Sequence, residues 1–158
     1  AGAMPIAREK VDVRTLLVNS AEAKSAFARE RGVELHLRLE EAKGLFSLDS
    51  KRIGQAVGQI LDNAIRYHKE GGEVLLFART SKDLLEIIVS DNGPGISEEN
   101  QKIVQGDGKK ALQLSDDPIL QGLGLPLAKQ LIETHHGTFR IESKPGEGST
   151  IIMTIPSR

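Results

Sequence analysis

Gln59, Asn63, Arg66 and Tyr67 follow one another at intervals of four, three and one residues in a segment of helical period, so all project from one side, flanking an apolar stripe. Asn has below-average helix propensity and, where partly buried, needs partners for its amide. The same four residues also suit a solvated helix face. A second group is Asp91-Asn92-Gly93-Pro94-Gly95-Ile96, directly after an apolar run. A carboxylate at a strand end accepts a hydrogen bond from a ligand amine, and glycines without Cβ let backbone approach a flat ring closely. A plain turn would use the same residues. The third is Gly122-Leu123-Gly124-Leu125-Pro126 ahead of a helical stripe. Glycines at a helix N-terminus leave N–H groups open to an anion, with the positive end of the helix dipole behind them.

The elements that must position these groups follow from period and punctuation. A helix is expected from about Val11 to Arg31, closed by Gly32, and a half-buried strand over Val33–Leu39 with His36 on its polar side. An extended piece around Leu45-Phe46 precedes Asp49, an N-cap for a second helix carrying Ile53, Val57, Ile60, Leu61, Ala64 and His68 and ending at Gly71-Gly72. Strands over 73–80 and 84–90 form an antiparallel hairpin around Ser81-Lys82-Asp83, and the second delivers Asp91. Residues 97–121 are polar and carry glycine, with one possible helical turn at 98–104; a loop of that length reads as a lid or as disorder. A third long helix has Leu127, Ala128, Leu131 and Ile132 and stops at Gly137, with His135-His136 capping its C-terminus. Strands over 138–143 and 149–156 close the chain around Lys144-Pro145-Gly146-Glu147-Gly148. Helices interspersed with hairpins predict an α+β two-layer sandwich, a mixed and mainly antiparallel sheet with three long helices on one face.

Composition narrows the chemistry. Lys+Arg number 21 and Asp+Glu 22 in 158 residues, a net charge of −1 that argues against nucleic acid as a partner. A chain of this length buries about 70% of the surface its unfolded form exposes, so one domain needs no staple. Cys is 0, which excludes disulfides, Cys-ligated metals and thiol nucleophiles. With aromatics at 3% and Trp at 0, the core must be aliphatic. No apolar run of 18 residues and no signal-peptide pattern occurs, so no membrane contact is expected. Ala1 to Met4 read as an expression scar, leaving one domain over residues 5–158. Position 127 is Leu, and no strand precedes Gly122, so the dinucleotide fingerprint fails; the P-loop pattern is also absent.

In this order the three groups form a signature. Over nearly the whole chain, from about Val11 to Pro156, the sequence resembles the ATP-binding catalytic domain of sensor histidine kinases, in the superfamily of gyrase B, Hsp90 and MutL. Ile60-Leu61-Asp62-Asn63-Ala64-Ile65-Arg66-Tyr67 is similar to the family's N box, residues 91–96 to its first glycine box, 122–125 to most of its second, and 136–150 to its closing hairpin. The resemblance implies the Bergerat ATP-binding fold, with ATP and Mg²⁺ as cofactors. Asn63 would hold Mg²⁺ over the phosphates, with Gln59 offering a second carbonyl oxygen, and Arg66 would contact phosphate. Tyr67 would lie along the nucleotide, and Asp91 would accept from the adenine amine. Gly93, Gly95 and Ile96 would shape the adenine pocket, Thr150 would approach it, and Gly122, Leu123, Gly124 and Leu125 would line the phosphate end. Lys109 and Lys110 would reach phosphate or stand as a solvated charge pair.

Four features depart from the family pattern. Gln59 stands where the family has Asn or an acid, and its amide is a poor general base. Leu120 replaces the first glycine of the second glycine box, and Ile103-Val104-Gln105 carries no aromatic ring. The four histidines, His36, His68, His135 and His136, are followed by Leu, Lys, His and Gly, so none matches a phosphoacceptor, and a separate dimerisation domain upstream is expected to supply it. The expected activity is transfer of the ATP γ-phosphate to that histidine, in a cytoplasmic setting, with a response regulator as indirect partner. The alternative is a degenerate, non-catalytic signalling scaffold that still binds nucleotide. A DNA-topology or mismatch-repair ATPase fits less well, because those relatives carry Glu at the position of Gln59.

Overall fold

In the computed structural model of the chain, the described residues are 5–66, 71–105, 124–144 and 146–157. They form β1 (Glu9–Asp12), α1 (Val13–Glu30), β2 (Glu34–Glu41), β3 (Leu45–Leu48), α2 (Ser50–Arg66), β4 (Glu73–Thr80), β5 (Leu84–Asp91), α3 (Glu98–Gln105), α4 (Leu125–Thr134), β6 (Thr138–Ser143) and β7 (Ser149–Pro156). The expected fold class is the observed one. A five-stranded sheet runs β2-β4-β5-β7-β6, with β2 parallel to β4 and every other pair antiparallel, and α1, α2 and α4 pack together over it.

Local chemistry sets the element ends. α1 starts two residues later than its apolar pattern because Asp12 caps it, its carboxylate accepting from Thr15 N–H at 3.1 Å. Asp49 does the same for α2, accepting from Arg52 N–H at 3.1 Å. Sequence reading leaves β1 unseen and β3 as a short extended piece. They pair with each other as a separate antiparallel ribbon, Glu9 opposite Leu48 and Asp12 opposite Leu45.

Alternation builds the core. Val74, Leu76 and Ala78 of β4, Leu85, Ile87 and Val89 of β5, and Ile151, Met153 and Ile155 of β7 are buried. They meet Ile53, Ala56, Val57, Ile60, Leu61, Ala64 and Ile65 from α2 and Leu125, Ala128, Leu131 and Ile132 from α4. Phe46 and Phe139 are the aromatic members of this cluster, so its packing is almost wholly aliphatic. The register places Asp91 opposite Ser149 of β7 and Val74 of β4, at the strand ends where α2 finishes.

Candidate functional site

Asp91 is the last residue of β5, and both carboxylate oxygens have partners. Oδ1 accepts from Gly93 N–H at 2.9 Å, and Oδ2 accepts from the Ser149 hydroxyl at 2.8 Å. A carboxylate offers about four lone-pair sites, so these two bonds fix its orientation and leave acceptor capacity for a ligand N–H. The loop that follows is held by the β6–β7 turn. Ile96 N–H donates to Ser143 Oγ at 2.7 Å, Ser143 Oγ donates to the Gly148 carbonyl at 3.0 Å, and Gly146 N–H donates to the Pro94 carbonyl at 2.7 Å. Gly148 has φ +89°, and a methyl there would overlap the Asp91 carbonyl, so only glycine lets the turn close on Asp91. On the other side Asn92 Oδ1 accepts from Glu73 N–H at 2.9 Å. Gly95 takes φ +79°, and Ile96 is buried.

The Thr150 hydroxyl pairs with that of Ser90 at 3.2 Å, and both residues line a hollow that Asp91 and Ser149 also border. Ser90 and Thr150 stand opposite one another one residue out of phase with Asp91 and Ser149, and successive strand residues point to opposite faces, so Ser149 is the residue that meets the carboxylate. Two hollows of about 390 and 400 Å³ border Asp91 at the strand ends, lined by Glu142, Ser143 and Gly148 on one side and His36, Glu73 and Asn92 on the other. Neither is lined by Asn63 or Gly124.

Asn63 lies on the buried side of α2 with 7% of its surface exposed, and its Oδ1 has no hydrogen-bond partner among the described residues. An orphaned buried carbonyl costs about 1–3 kcal/mol, and such groups persist where something outside the chain supplies the missing positive partner. An amide oxygen without a donor among the described residues fits a hard cation such as Mg²⁺. One helical turn earlier, the Gln59 side chain packs against Gly124, where an added methyl would overlap its Oε1. Gly124 is the N-cap of α4 at φ +70° and contributes no side-chain cap; Pro126 has no N–H, so Leu125 and Leu127 are the first donors α4 can offer an anion. Leu125 is fully buried, so its contribution there is backbone alone.

Arg66 is turned to α1. Its guanidinium pairs with Asp62 at 2.8 Å and lies 5.7 Å above the centre of the Phe27 ring, while Arg31 donates to the Arg66 carbonyl at 2.7 Å. The structure brings together Asp91, Gly93, Gly95 and Ile96 at one place and Gln59 and Gly124 at another; it gives Arg66 partners in Asp62 of α2 and Phe27 of α1. Tyr67, Lys109, Lys110, Gly122 and Leu123, and the expected lid beyond residue 105, lie outside the described residues.

Several positioning groups have no local sequence signal. Gln101 donates to the carbonyls of Ile96 at 2.7 Å and Ser143 at 3.0 Å. Gln105 donates to the Phe139 carbonyl and accepts from Ile141 N–H, both at 2.9 Å. The buried Lys129 ammonium donates to the Gln105 carbonyl at 2.9 Å, capping α3. Only a knowledge of which strand forms the sheet edge would have singled these residues out.

At the far end of α2 and α4 a second polar cluster is closed. His135 is fully buried; Nδ1 lies 3.0 Å from the Leu131 carbonyl, and Nε2 accepts from Asp49 N–H at 3.1 Å. Those partners require the neutral tautomer protonated at Nδ1. Burial holds His135 below the ordinary imidazole range, and Arg8 pushes it the same way. His135 therefore caps α4 as a neutral ring. Burial would raise the Asp49 carboxyl, but N–H bonds from Ala7 and Arg52 prevail and hold it below its usual value.

The profile of the histidine kinase-, DNA gyrase B- and HSP90-like ATPases matches residues 48–158. Sensor protein DivL of Caulobacter vibrioides is 35% identical over 156 residues, covering 99% of this chain and 20% of its own length. The catalytic domain of histidine kinase ThkA superposes with a TM-score of 0.79 at 20% identity over 96% of both chains. Full-length ShkA in complex with AMPPNP gives a TM-score of 0.81 at 24% identity, over 99% of this chain and 32% of that one. The chain spans between 20% and 30% of the first three curated relatives it matches.

Proposed function

Since the chain belongs to the histidine kinase-, DNA gyrase B- and HSP90-like ATPase family, we propose that it is the ATP-binding catalytic domain of a sensor histidine kinase, presenting the γ-phosphate of Mg·ATP to a histidine on a separate dimerisation domain. The observation that carries the proposal is the carbonyl of Asn63, without a hydrogen-bond partner among the described residues and buried on the helix that neighbours both the Asp91 strand and the Gly124 turn. Mg²⁺, when bound, would supply positive charge that neutralises what develops as the phosphoryl group leaves.

The chain's own residues divide the remaining work. Asp91, aimed by Gly93 and Ser149, accepts the exocyclic amine of adenine, and Gly95 allows the ring to lie against backbone. Asn63 holds the cation through its amide oxygen. The N–H groups of Leu125 and Leu127 after Gly124 receive phosphate oxygens. Gln59 beside them has no basic atom, so proton removal from the acceptor imidazole is left to the partner domain or to a histidine already neutral. In the transfer, a ring nitrogen of the acceptor forms the new bond to phosphorus as the bond to ADP breaks.

Calorimetric titration of the chain with ATP, with and without Mg²⁺, tests the reading. Affinity that rises with Mg²⁺, and phosphorylation of a supplied dimerisation domain, are expected. Absence of binding overturns the nucleotide site, and binding without transfer overturns the kinase assignment in favour of a scaffold.

A further inference from the structure

Resting on the nucleotide reading of the cleft, we propose that Arg8 is a positioning residue: from outside the cleft it sets the register of α2 on α4 and thereby the geometry of the phosphate end. Arg8 is the hub of the cluster around His135 and Asp49. Its guanidinium donates to the carbonyls of Ser47 at 2.8 Å, Pro156 at 3.3 Å and His135 at 3.1 Å, which terminate or border β3, β7 and α4. The preceding residue, Ala7, donates its N–H to Asp49 Oδ2 at 3.1 Å. Two consecutive residues of the strap before β1 therefore hold the N-terminus of α2 and the C-terminus of α4. Asp49 and His135 are in turn bonded directly to one another.

The distal end is coupled to the cleft by matching lengths. Ten residues separate Asp49 from Gln59 along α2, and eleven separate Gly124 from His135 along α4. At 1.5 Å per residue these are about 15 and 16.5 Å. The two helices thus run antiparallel and are tied at both ends, by the Asp49–His135 hydrogen bond and by the Gln59–Gly124 packing. Between the ties lie Ile53, Ala56 and Val57 on α2 and Ala128, Leu131 and Ile132 on α4, all buried. Close-packed aliphatic faces of this kind shift as units and do not deform continuously. A displacement of α4 at His135 is then transmitted to Gly124, and Gly124 cannot move toward α2 without displacing Gln59. Arg8 carries a fixed charge to three carbonyls at the outer end of α4, so its removal loosens the register where the strap enters.

The test uses linkage. In the wild-type chain, saturation with Mg·AMPPNP should slow amide exchange at Ala7 and at Asp49, far from the cleft, because coupling between two sites is reciprocal. Arg8→Ala should weaken Mg·AMPPNP binding per folded molecule by roughly three- to thirtyfold, the range of coupling effects, and speed exchange of the Ala128 amide, which bonds to the Gly124 carbonyl. Arg8→Lys should restore part of both, since an ammonium cannot span three carbonyls as a fork does. A purely structural role predicts a lower melting temperature with unchanged affinity per folded molecule and exchange changes confined to residues 5–12 and 45–49; that result overturns the proposal. If Arg8→Ala does not fold, the wild-type exchange at Ala7 and Asp49 decides. If wild type does not bind Mg·AMPPNP, the nucleotide reading fails by itself, and the Ala128 exchange in Arg8→Ala still decides the coupling.

Discussion

Replacing Asn63 by leucine separates a structural amide from one kept for a ligand. The side chains share a γ-branched shape, and the carbonyl removed has no partner among the described residues. Deleting an orphaned buried acceptor relieves about 1–3 kcal/mol of desolvation. In a domain of 150–250 residues 1 kcal/mol moves the melting temperature by about 2–4 °C, so Asn63→Leu should melt higher than wild type by roughly 2–12 °C, less whatever the added bulk costs. Mg·AMPPNP at a hundred times its dissociation constant should stabilise wild type by about 2.7 kcal/mol and leave Asn63→Leu unmoved. Differential scanning calorimetry with and without Mg·AMPPNP reads both effects. The combination of higher apo stability and lost ligand response is the signature of a residue retained for function. If Asn63→Leu melts lower and still responds to Mg·AMPPNP, the amide is structural and the metal assignment fails.

Asp91→Ala should weaken nucleotide binding by about 1.5–3 kcal/mol, roughly 10- to 150-fold, whereas Ser149→Ala, which only releases the carboxylate, should cost about 0.5–1.5 kcal/mol; isothermal titration compares them, and equal losses would show that Ser149 itself touches ligand. Gly148→Ala drives a methyl into the Asp91 backbone at φ +89° and should sharply reduce the yield of folded protein, while Gly124→Ala meets the movable end of Gln59 and should fold yet bind Mg·AMPPNP less tightly, as circular dichroism and titration would register. The depressed His135 makes the unfolded chain the stronger proton acceptor below about pH 6.5. Stability should therefore be full above that pH and fall as pH drops toward the lower folded value, and His135→Gln should flatten this window in a series of melting curves. Asp49 adds a second loss of the same sign below its model-compound value of 3.8.

What was legible in the sequence was periodic or local. The strands over 138–143 and 149–156 have the predicted bounds, because alternation and the intervening Pro-Gly turn act over a few residues. The capping role of Asp49 was equally local. What escaped depends on pairing between distant segments. β1 has four residues and a burial pattern with no buried position, so nothing in it alternates, and only β3 makes it a strand. Ser149 is not singled out by the sequence because the register of β7 on β5, fixed across 58 residues of chain, decides which residue meets the Asp91 carboxylate. Arg66 has the spacing of a cleft residue, yet Asp62 and Phe27 compete for its guanidinium, a contest that helical spacing does not reveal. His135 was visible as a capping residue; its neutrality was not, since it follows first from burial and then from Arg8, with the Asp49 N–H placed on Nε2, all set by segments elsewhere in the chain.

The side chains of Gln101 and Gln105 have an effect that reaches past the site. Spaced by one helical turn, they occupy the Phe139 and Ser143 carbonyls and the Ile141 N–H along the outer margin of β6, where another extended chain would otherwise find its partners. Two primary amides thereby stand in for a missing sixth strand. On that flank the domain is shielded from ladder-type self-association, and glutamine-to-alanine changes there should be read first for clumping in concentrated solution before any altered turnover is ascribed to them.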